Sequence, residues 1–466
     1  MTGGTSVQAA ATLAESAARP TPQSDASETP WPPARQAWWA VFIFSLTLTV
    51  GFLDRGVLNL LIEPIKRDLH ISDTQISVVV GFAFVVFYLL LGLPAARWID
   101  SGSRRLILGI CVSIWSIGTA LCGAAHNFSQ LALARIGVGA GEAAISPTIS
   151  SMISDLFPKE RLARAMSVMA FAFVAGNGLS MLLGAAVIEF VADARTIHVP
   201  LLGEMFSWQM TFFVVGLPGL LVALLYVTVR EPARRGRLSG QDPSKAAPVR
   251  EVARFMAKNW TVYAPMFLGL GCRTMVFFGI STWTPALFSR NYGWSGSQFG
   301  YVAGVLSIVL SSIGLLVGIR VNEWLVRRGY QDANQRMTAW VSWLALPGLI
   351  LMPIMPTPEL ALAMFGWTQF VNVAAIGSQN AALLVVTPNQ MRGQVSALYL
   401  FVFNVIGYGV GPTVIALFTD FVFGDESQLR YAMFTAAAVL GPIGAVILTL
   451  GIKPYGRAFA RAQQWQ

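Results

Sequence analysis

Four charged residues interrupt apolar segments of the sequence, where charges are rare. Asp54 and Arg55 are adjacent in the first apolar run, and Arg135 and Glu142 are seven residues apart in a later one. A charge at the centre of a bilayer costs about 2.5–3.5 kcal/mol on insertion scales, so charges at this depth usually have a function. Carboxylates beside arginines can exchange a proton or hold an anion. The plainer alternative is a salt bridge that only joins helices.

Helix geometry indicates how these four charges pair. Adjacent helical residues point about 100° apart, so Asp54 and Arg55 do not form a self-contained pair. Arg135 and Glu142 share a face but lie about 10.5 Å apart along the axis, too far for a direct bond. Counted from the ends of their apolar runs, Asp54 and Arg135 lie at nearly the same depth in a core of about 30 Å. We therefore predict a direct Asp54–Arg135 pair, with Arg55 and Glu142 closer to an aqueous cavity.

The composition is that of a membrane protein. The chain has 466 residues, of which 55% are hydrophobic and 12% are charged, whereas a soluble protein carries about 25% charged residues. Repeated long apolar runs predict an all-α integral membrane fold. Twelve segments are predicted, at 38–62, 75–98, 104–125, 128–153, 162–191, 208–229, 260–288, 297–319, 337–356, 359–386, 393–422 and 430–452.

Several kinds of chemistry find no support in the sequence. The cysteines and histidines lack the spacing of a disulfide framework or a metal site. There is no phosphate-binding Gly-Lys-Ser/Thr loop, which disfavours an ATP-driven pump. Nothing resembles a hydrolytic nucleophile with its base, so no catalytic residue is predicted. No cofactor is expected, and a proton gradient is the expected energy source.

The basic residues predict the domain organisation and the orientation. The longest interruption, 230–258, is strongly basic and divides the segments into six plus six. We predict a disordered cytoplasmic tail at 1–36, bundles at 37–229 and 259–453, a cytoplasmic linker at 230–258 and a cytoplasmic tail at 454–466. Most of the 32 Lys and Arg residues fall on the side of the termini when both termini are placed inside. This bias predicts cytoplasmic termini in a plasma (inner) membrane and accounts for the net charge without nucleic acid.

The two halves repeat, and the repeated loop resembles a known family. Parallel repeats of six helices are typical of one transporter architecture. The loop after the second segment resembles the motif Gly-x-x-x-Asp-Arg/Lys-x-Gly-Arg/Lys-Arg/Lys of the major facilitator superfamily, with Ala96, Ser101 and Ser103 as departures. The resemblance implies twelve helices in two pseudo-symmetric bundles that alternate access to a central cavity. It also implies a cytoplasmic gate formed by Asp100, Gly102, Arg104 and Arg105. A second copy of the gate is expected to be weaker, because Asn322 stands where the acid would be.

Within that superfamily the chain resembles the Spinster group of lipid transporters. The resemblance rests on three stretches of sequence. They are Asp54-Arg55 in the first segment, 135–144 with Pro147 in the fourth, and 208–219 in the sixth, which Glu231-Pro232 follows. It implies a non-enzymatic, proton-coupled transporter of an amphipathic anionic or zwitterionic lipid, such as a lysophospholipid or sphingoid phosphate. Anion:cation symporters for sugar acids carry similar charge pairs, so an organic-anion:proton symporter is an alternative. A non-transporting membrane sensor is an alternative of another class.

The site residues follow from these interpretations. Asp54 is the first choice for the proton carrier and Glu142 the second, with Arg55 and Arg135 as charge partners or head-group binders. Other polar residues at membrane depth are candidates for a substrate cavity or for hydrogen bonds between helices: Asn177, Arg273, Asn372, Asn404 and Tyr408. Arg273 has no acid near it in its own helix. The expected partners are a small amphipathic or anionic substrate, protons and the bilayer, with no nucleic acid, and we expect a monomer.

Overall fold

The computed structural model describes residues 30–191, 196–199, 203–234, 248–388 and 390–463. Within these residues the chain is almost entirely helical, and eleven helices are long and apolar enough to cross a membrane. The predicted all-α, multi-pass fold is therefore confirmed. Residues 1–29 of the predicted tail and 235–247 of the predicted linker lie outside the described residues.

The long helices are named α1 to α12 in chain order. They are α1 (Ala34–Leu60), α2 (73–101), α3 (Arg104–Gly123), α4 (Phe128–Glu142, then Ile145–Leu156), α5 (Lys159–Val191), α6 (Ser207–Leu225), α7 (Trp260–Tyr292), α8 (Gly296–Arg327), α9 (Ala333–Leu351), α10 (Pro358–Val373, then Ile376–Val385), α11 (Arg392–Phe423) and α12 (Leu429–Leu450). Three shorter helices are Ile62–Leu69, Val249–Lys258 and Ile452–Ala462. An antiparallel hairpin of β1 (Thr196–Val199) and β2 (Gly203–Phe206) precedes α6.

Helix α4 is the predicted span that is not among the eleven, and it is divided at Ala143–Ala144. Pro147 explains the break, because proline has no N–H to donate to the carbonyl four residues earlier and its ring clashes with that carbonyl. The matching helix α10 is also divided at an Ala-Ala-Ile sequence, at Ala374–Ala375. The halves thus repeat in structure. A twelfth crossing stays a prediction for α4.

Glycines lie where helices of the two halves cross. A Cβ on Gly178 of α5 would lie 2.7 Å from the carbonyl oxygen of Gly304 on α8. A Cβ on Gly81 of α2 would lie 2.6 Å from the carbonyl oxygen of Tyr408 on α11. Small residues allow this close approach of membrane helices. Both partners of the second crossing contain a π-helical turn there: Val78–Phe82 in α2 and Phe403–Val410 in α11.

Ion pairs join the halves at one end of the molecule. This outer cluster consists of Glu63, Lys66, Asp73, Arg290 and Glu426. Arg290 of α7 donates to Glu63 at 2.8 Å and to the two oxygens of Asp73 at 2.7 and 2.8 Å. Lys66 pairs with Asp73 and lies 2.8 Å from Glu426. Because each half supplies charges of the cluster, it holds this end of the two bundles together.

The crossing of α5 and α8 can be tested with Gly178→Ala. The added methyl group would press on the backbone of α8, which cannot rotate away, and overpacking of this kind costs about 1–3 kcal/mol. We expect a lower thermal unfolding midpoint for the purified protein in detergent. The control is Gly137→Ala, because nothing lies within 4 Å of a Cβ at that position. Equal midpoints for the two variants would contradict the close crossing.

Candidate functional site

The first of two ion pairs is deeply buried. Arg135 on α4 donates to Asp54 on α1 at 2.6 Å, and Thr119 on α3 donates to the other oxygen of Asp54 at 2.8 Å. Asp54 and Arg135 are each only 1% exposed. The depth of the residues predicted this pair. The contribution of Thr119 was missed, because a threonine in an apolar run gives no sign of its partner.

The second ion pair is more accessible. Arg55 donates to Oε2 of Glu142, whereas the buried Oε1 has no hydrogen-bond partner in the described part of the chain. The side chain of Arg55 is 23% exposed, against 1% for Arg135. Of the two ion pairs, Arg55–Glu142 is therefore the more accessible to a solute.

Aromatic rings surround Arg55. Its guanidinium carbon lies 4.6 Å from the centroid of the Phe84 ring and 5.5 Å from that of Tyr408. The Phe84 ring also lies 5.5 Å from the guanidinium carbon of Arg135. Cation–π contacts of this kind stabilise a partly desolvated arginine. Tyr408, a candidate from the sequence, thus reaches the charges of the first half from the second half.

A separate cationic site lies in the second half. Arg273 is buried and donates to the side-chain and backbone oxygens of Asn372, the latter at 3.1 Å. Among the described residues no carboxylate lies within ion-pair distance of Arg273, and its Nε has no partner. It lines a small pocket together with residues that include Val276, Phe277, Ser342, Leu346 and Asn372. A buried cation held by an amide can accept an anion.

Two other candidates show no comparable arrangement. Asn404 donates to the carbonyl of Leu400 at 2.9 Å within its own helix, which is a local structural use of the side chain. Asn177 is exposed on α5. A role for either residue in a substrate cavity stays a prediction.

The loop motif forms a network inside the first half. Arg104 is buried and bonds to Asp155 on α4, to Glu231 at 3.0 Å and to the carbonyl of Pro232 at 3.0 Å. The backbone N–H of Arg105 also donates to Glu231, at 2.8 Å. This network explains the role of Glu231-Pro232: the carboxylate of Glu231 and the carbonyl of Pro232 accept hydrogen bonds from the loop arginines. The part played by Asp155 was missed, because the sequence does not show which acid faces an arginine far along the chain.

The described side chains of the predicted gate residues make their contacts within one half of the molecule. In the described part of the chain, the hydrogen-bond partners of Arg104 belong to the first half, and the side chain of Asp100 lies outside the described residues. The carbonyl of Gly102 accepts from Arg234 at 2.7 Å. In the second copy, Asn322 donates to Asn334 at 3.1 Å. A gate between the halves stays a prediction.

The chain belongs to the Major Facilitator Superfamily, whose family model matches residues 44–412. It is therefore a multi-pass membrane transporter and not an enzyme. The structure matches that of a bacterial homologue of the human lysosomal transporter Spinster, in an inward-facing and unoccupied conformation. The TM-score is 0.75 with 24% identity, over 92% of this chain and 99% of the other. That likeness shows the fold.

Relatives of several kinds match most of the chain. An MFS-type efflux pump of Mycolicibacterium smegmatis is 27% identical over 91% of this chain and 94% of the relative. A probable L-galactonate transporter of Escherichia coli is 24% identical over 86% of each chain. Animal Spinster proteins and further sugar-acid transporters are also similar. The resemblance to the Spinster group is confirmed, alongside a likeness to sugar-acid transporters.

The network around Arg104 predicts a pH dependence of stability. Glu231 lies outside the spans. Partial burial raises the pKa of this carboxyl, but hydrogen bonds from Arg104, Arg105 and Ser103 outweigh that effect and hold the pKa below its usual value. A depressed folded-state pKa stabilises the protein above the unfolded pKa, and this stabilisation is lost as the pH falls through the folded-state pKa.

We therefore expect Glu231→Gln to lower the thermal unfolding midpoint at neutral pH. The difference from the unsubstituted protein should shrink as the pH falls, because Glu231 itself becomes protonated. Glu251→Gln is the control, since Glu251 is exposed on the short helix Val249–Lys258. A gap between the Glu231→Gln variant and the unsubstituted protein that stays constant down to acidic pH would argue against this role for the charge.

Proposed function

We propose that the protein is a proton-coupled secondary active transporter of an amphipathic anion, working by alternating access of its two bundles. The observation that carries this proposal is the contrast between the two ion pairs. Asp54–Arg135 is buried and both carboxylate oxygens of Asp54 accept hydrogen bonds, whereas Arg55–Glu142 is partly exposed and has an unpaired carboxylate oxygen. The second pair has the properties of a pair that opens during transport.

Protonation of Glu142 would remove the charge that holds Arg55. Arg55 would keep its contacts with Phe84 and Tyr408 but would have no carboxylate partner. An anionic head group can take that place. Loss of the proton restores the carboxylate, which then competes with the anion for Arg55. Proton binding and substrate binding are linked in this way, and each favours the other.

The contacts favour Glu142 over Asp54 as the proton carrier, which reverses the order expected from sequence. Both oxygens of Asp54 accept hydrogen bonds, from Thr119 and Arg135. A proton on Asp54 would also leave Arg135 buried without a counter-charge, and uncompensated buried charges of this kind cost about 3–5 kcal/mol. We assign the proton to Glu142, and to Asp54 the task of holding Arg135.

The substrate we propose is an anionic or zwitterionic lipid of the lysophospholipid or sphingoid-phosphate type. The space beside Arg273 has one cation and a largely apolar wall, with Val276, Phe277 and Leu346 among its residues. An amphipathic anion matches that wall, whereas a polyhydroxylated sugar acid needs several polar partners. The similarity to Spinster proteins supports the same substrate class.

A second candidate is an organic-anion:proton symporter for sugar acids. It is favoured by the similarity to the probable L-galactonate transporter and to a hexuronate transporter. The four-charge set would serve either substrate, because it recognises the anionic group. The two candidates therefore differ mainly in what surrounds Arg273.

We further propose a monomer in the plasma (inner) membrane, with both termini in the cytoplasm and the proton gradient as energy source. Basic residues are concentrated in the loops on the same side of the membrane as the two termini, which supports this orientation. The outer cluster would then close the non-cytoplasmic end.

The assignment of the proton can be tested with Glu142→Gln in proteoliposomes. We expect this variant to lose accumulation of an anionic lysophospholipid driven by a proton gradient but to keep counterflow exchange of the labelled lipid. The reason is that glutamine leaves Arg55 available and cannot titrate. Asp54→Asn is expected to lose both activities and to melt at a lower temperature, because Arg135 is left unpaired. Full gradient-driven accumulation by Glu142→Gln would refute the assignment.

The substrate class can be tested by ligand-induced thermal stabilisation of the purified protein. We expect an anionic lysophospholipid to raise the melting temperature, and Arg273→Gln to lose most of that rise. Arg320→Gln, at an exposed position on α8, is the matched control and should keep it. Stabilisation by galactonate and not by the lysophospholipid would establish the second candidate instead.

A further inference from the structure

Two short helices outside the spans carry matching rows of basic residues. The linker row and the C-terminal row are, respectively, Arg250, Arg254 and Lys258 on Val249–Lys258, and Lys453, Arg457 and Arg461 on Ile452–Ala462. Residues four apart share a helix face, so each row forms one positive stripe. All six side chains are exposed. Among the described residues, no carboxylate lies within ion-pair distance of either row.

The opposite faces of both helices pack on the second bundle. Val252 of the first helix and Tyr455 and Ala458 of the second are buried in one apolar cluster, together with Tyr263 of α7 and Val395 of α11. The two helices therefore lie at the same end of the bundle. Each has its apolar side against the protein and its basic row directed away from that packing.

Both helices also lie at the level where the spans end. The linker row stops two residues before Trp260, which begins α7 and is 64% exposed. Tryptophan is enriched at the interface between membrane and water. The C-terminal helix starts at Ile452, directly after α12 ends at Leu450. Clusters of basic residues immediately beside the end of a membrane span bind anionic lipid head groups.

We propose that the linker row and the C-terminal row form a docking surface for anionic lipid head groups at this end of the second bundle. The lipids would hold both helices, and hence the inner ends of α7 and α12, at the membrane surface. The proposed orientation places the surface at the cytoplasmic leaflet, where anionic lipids attract basic segments. The surface is separate from Arg55 and Arg273 and does not depend on which substrate is transported.

The test is the melting temperature of the full chain in neutral detergent, titrated with phosphatidylglycerol or with phosphatidylcholine. We expect phosphatidylglycerol to stabilise the protein at lower concentration than phosphatidylcholine, and high salt to reduce this difference. Replacing either row with three glutamines should raise the phosphatidylglycerol concentration for half-maximal stabilisation about a hundredfold. Replacing both rows should abolish the preference for the anionic lipid.

The matched control is the triple substitution Arg320→Gln, Arg327→Gln and Arg328→Gln. It removes three exposed charges at the same end of the neighbouring helix α8, and it should leave the response to phosphatidylglycerol unchanged. The melting temperature without added lipid verifies folding, and Arg254→Gln with Arg457→Gln replaces any triple variant that does not fold. Equal stabilisation by the two lipids, or an equal loss in the α8 control, would overturn the proposal.

Discussion

Two arginines at membrane depth must find counter-charges on other helices, and the first bundle is built to supply them. Arg135 forms its ion pair with Asp54 only because α4 packs tightly against its neighbouring helices. A Cβ on Gly139 would lie 2.2 Å from the carbonyl oxygen of Phe84, and one on Gly141 would lie 2.6 Å from the backbone nitrogen of Trp115. These glycines set the distance between backbones, and the ion pairs depend on that distance.

The same packing connects the charges to the interface between the bundles. The backbone of Phe84 meets Gly139, while its ring contacts Arg55. The Tyr408 ring contacts Arg55 and lies 4.8 Å from Phe278 of α7, and its backbone packs on Gly81. Any rocking of the second bundle against the first must therefore change the surroundings of Arg55. Asp54–Arg135 lies behind this interface and can stay fixed, which is consistent with a division into one structural and one exchangeable pair.

The ion pairs of this site could be predicted in part from the sequence, because charged residues are rare in membrane spans. Few charges occur inside the apolar runs of the first half, so the possible partners of Asp54, Arg55, Arg135 and Glu142 are few. The similar depth of Asp54 and Arg135 then indicates that these two residues pair. The outer cluster could not be predicted, because Arg290 meets Asp73 only through packing of distant helices. The hydrogen bond from Thr119 to Asp54 could not be predicted either, because threonines in membrane spans commonly bond to a carbonyl of their own helix. The break in α4 has a local cause in Pro147, whereas the matching break in α10 has no such signal.

We propose that Glu142, and not Asp54, carries the proton. Infrared difference spectroscopy of the purified protein during acidification reports this directly, since a buried protonated carboxyl has its own absorption. We expect the unsubstituted protein to show this absorption, Glu142→Gln to abolish it and Asp54→Asn to retain it. An undiminished absorption in Glu142→Gln that is lost in Asp54→Asn would show that Asp54 carries the proton instead.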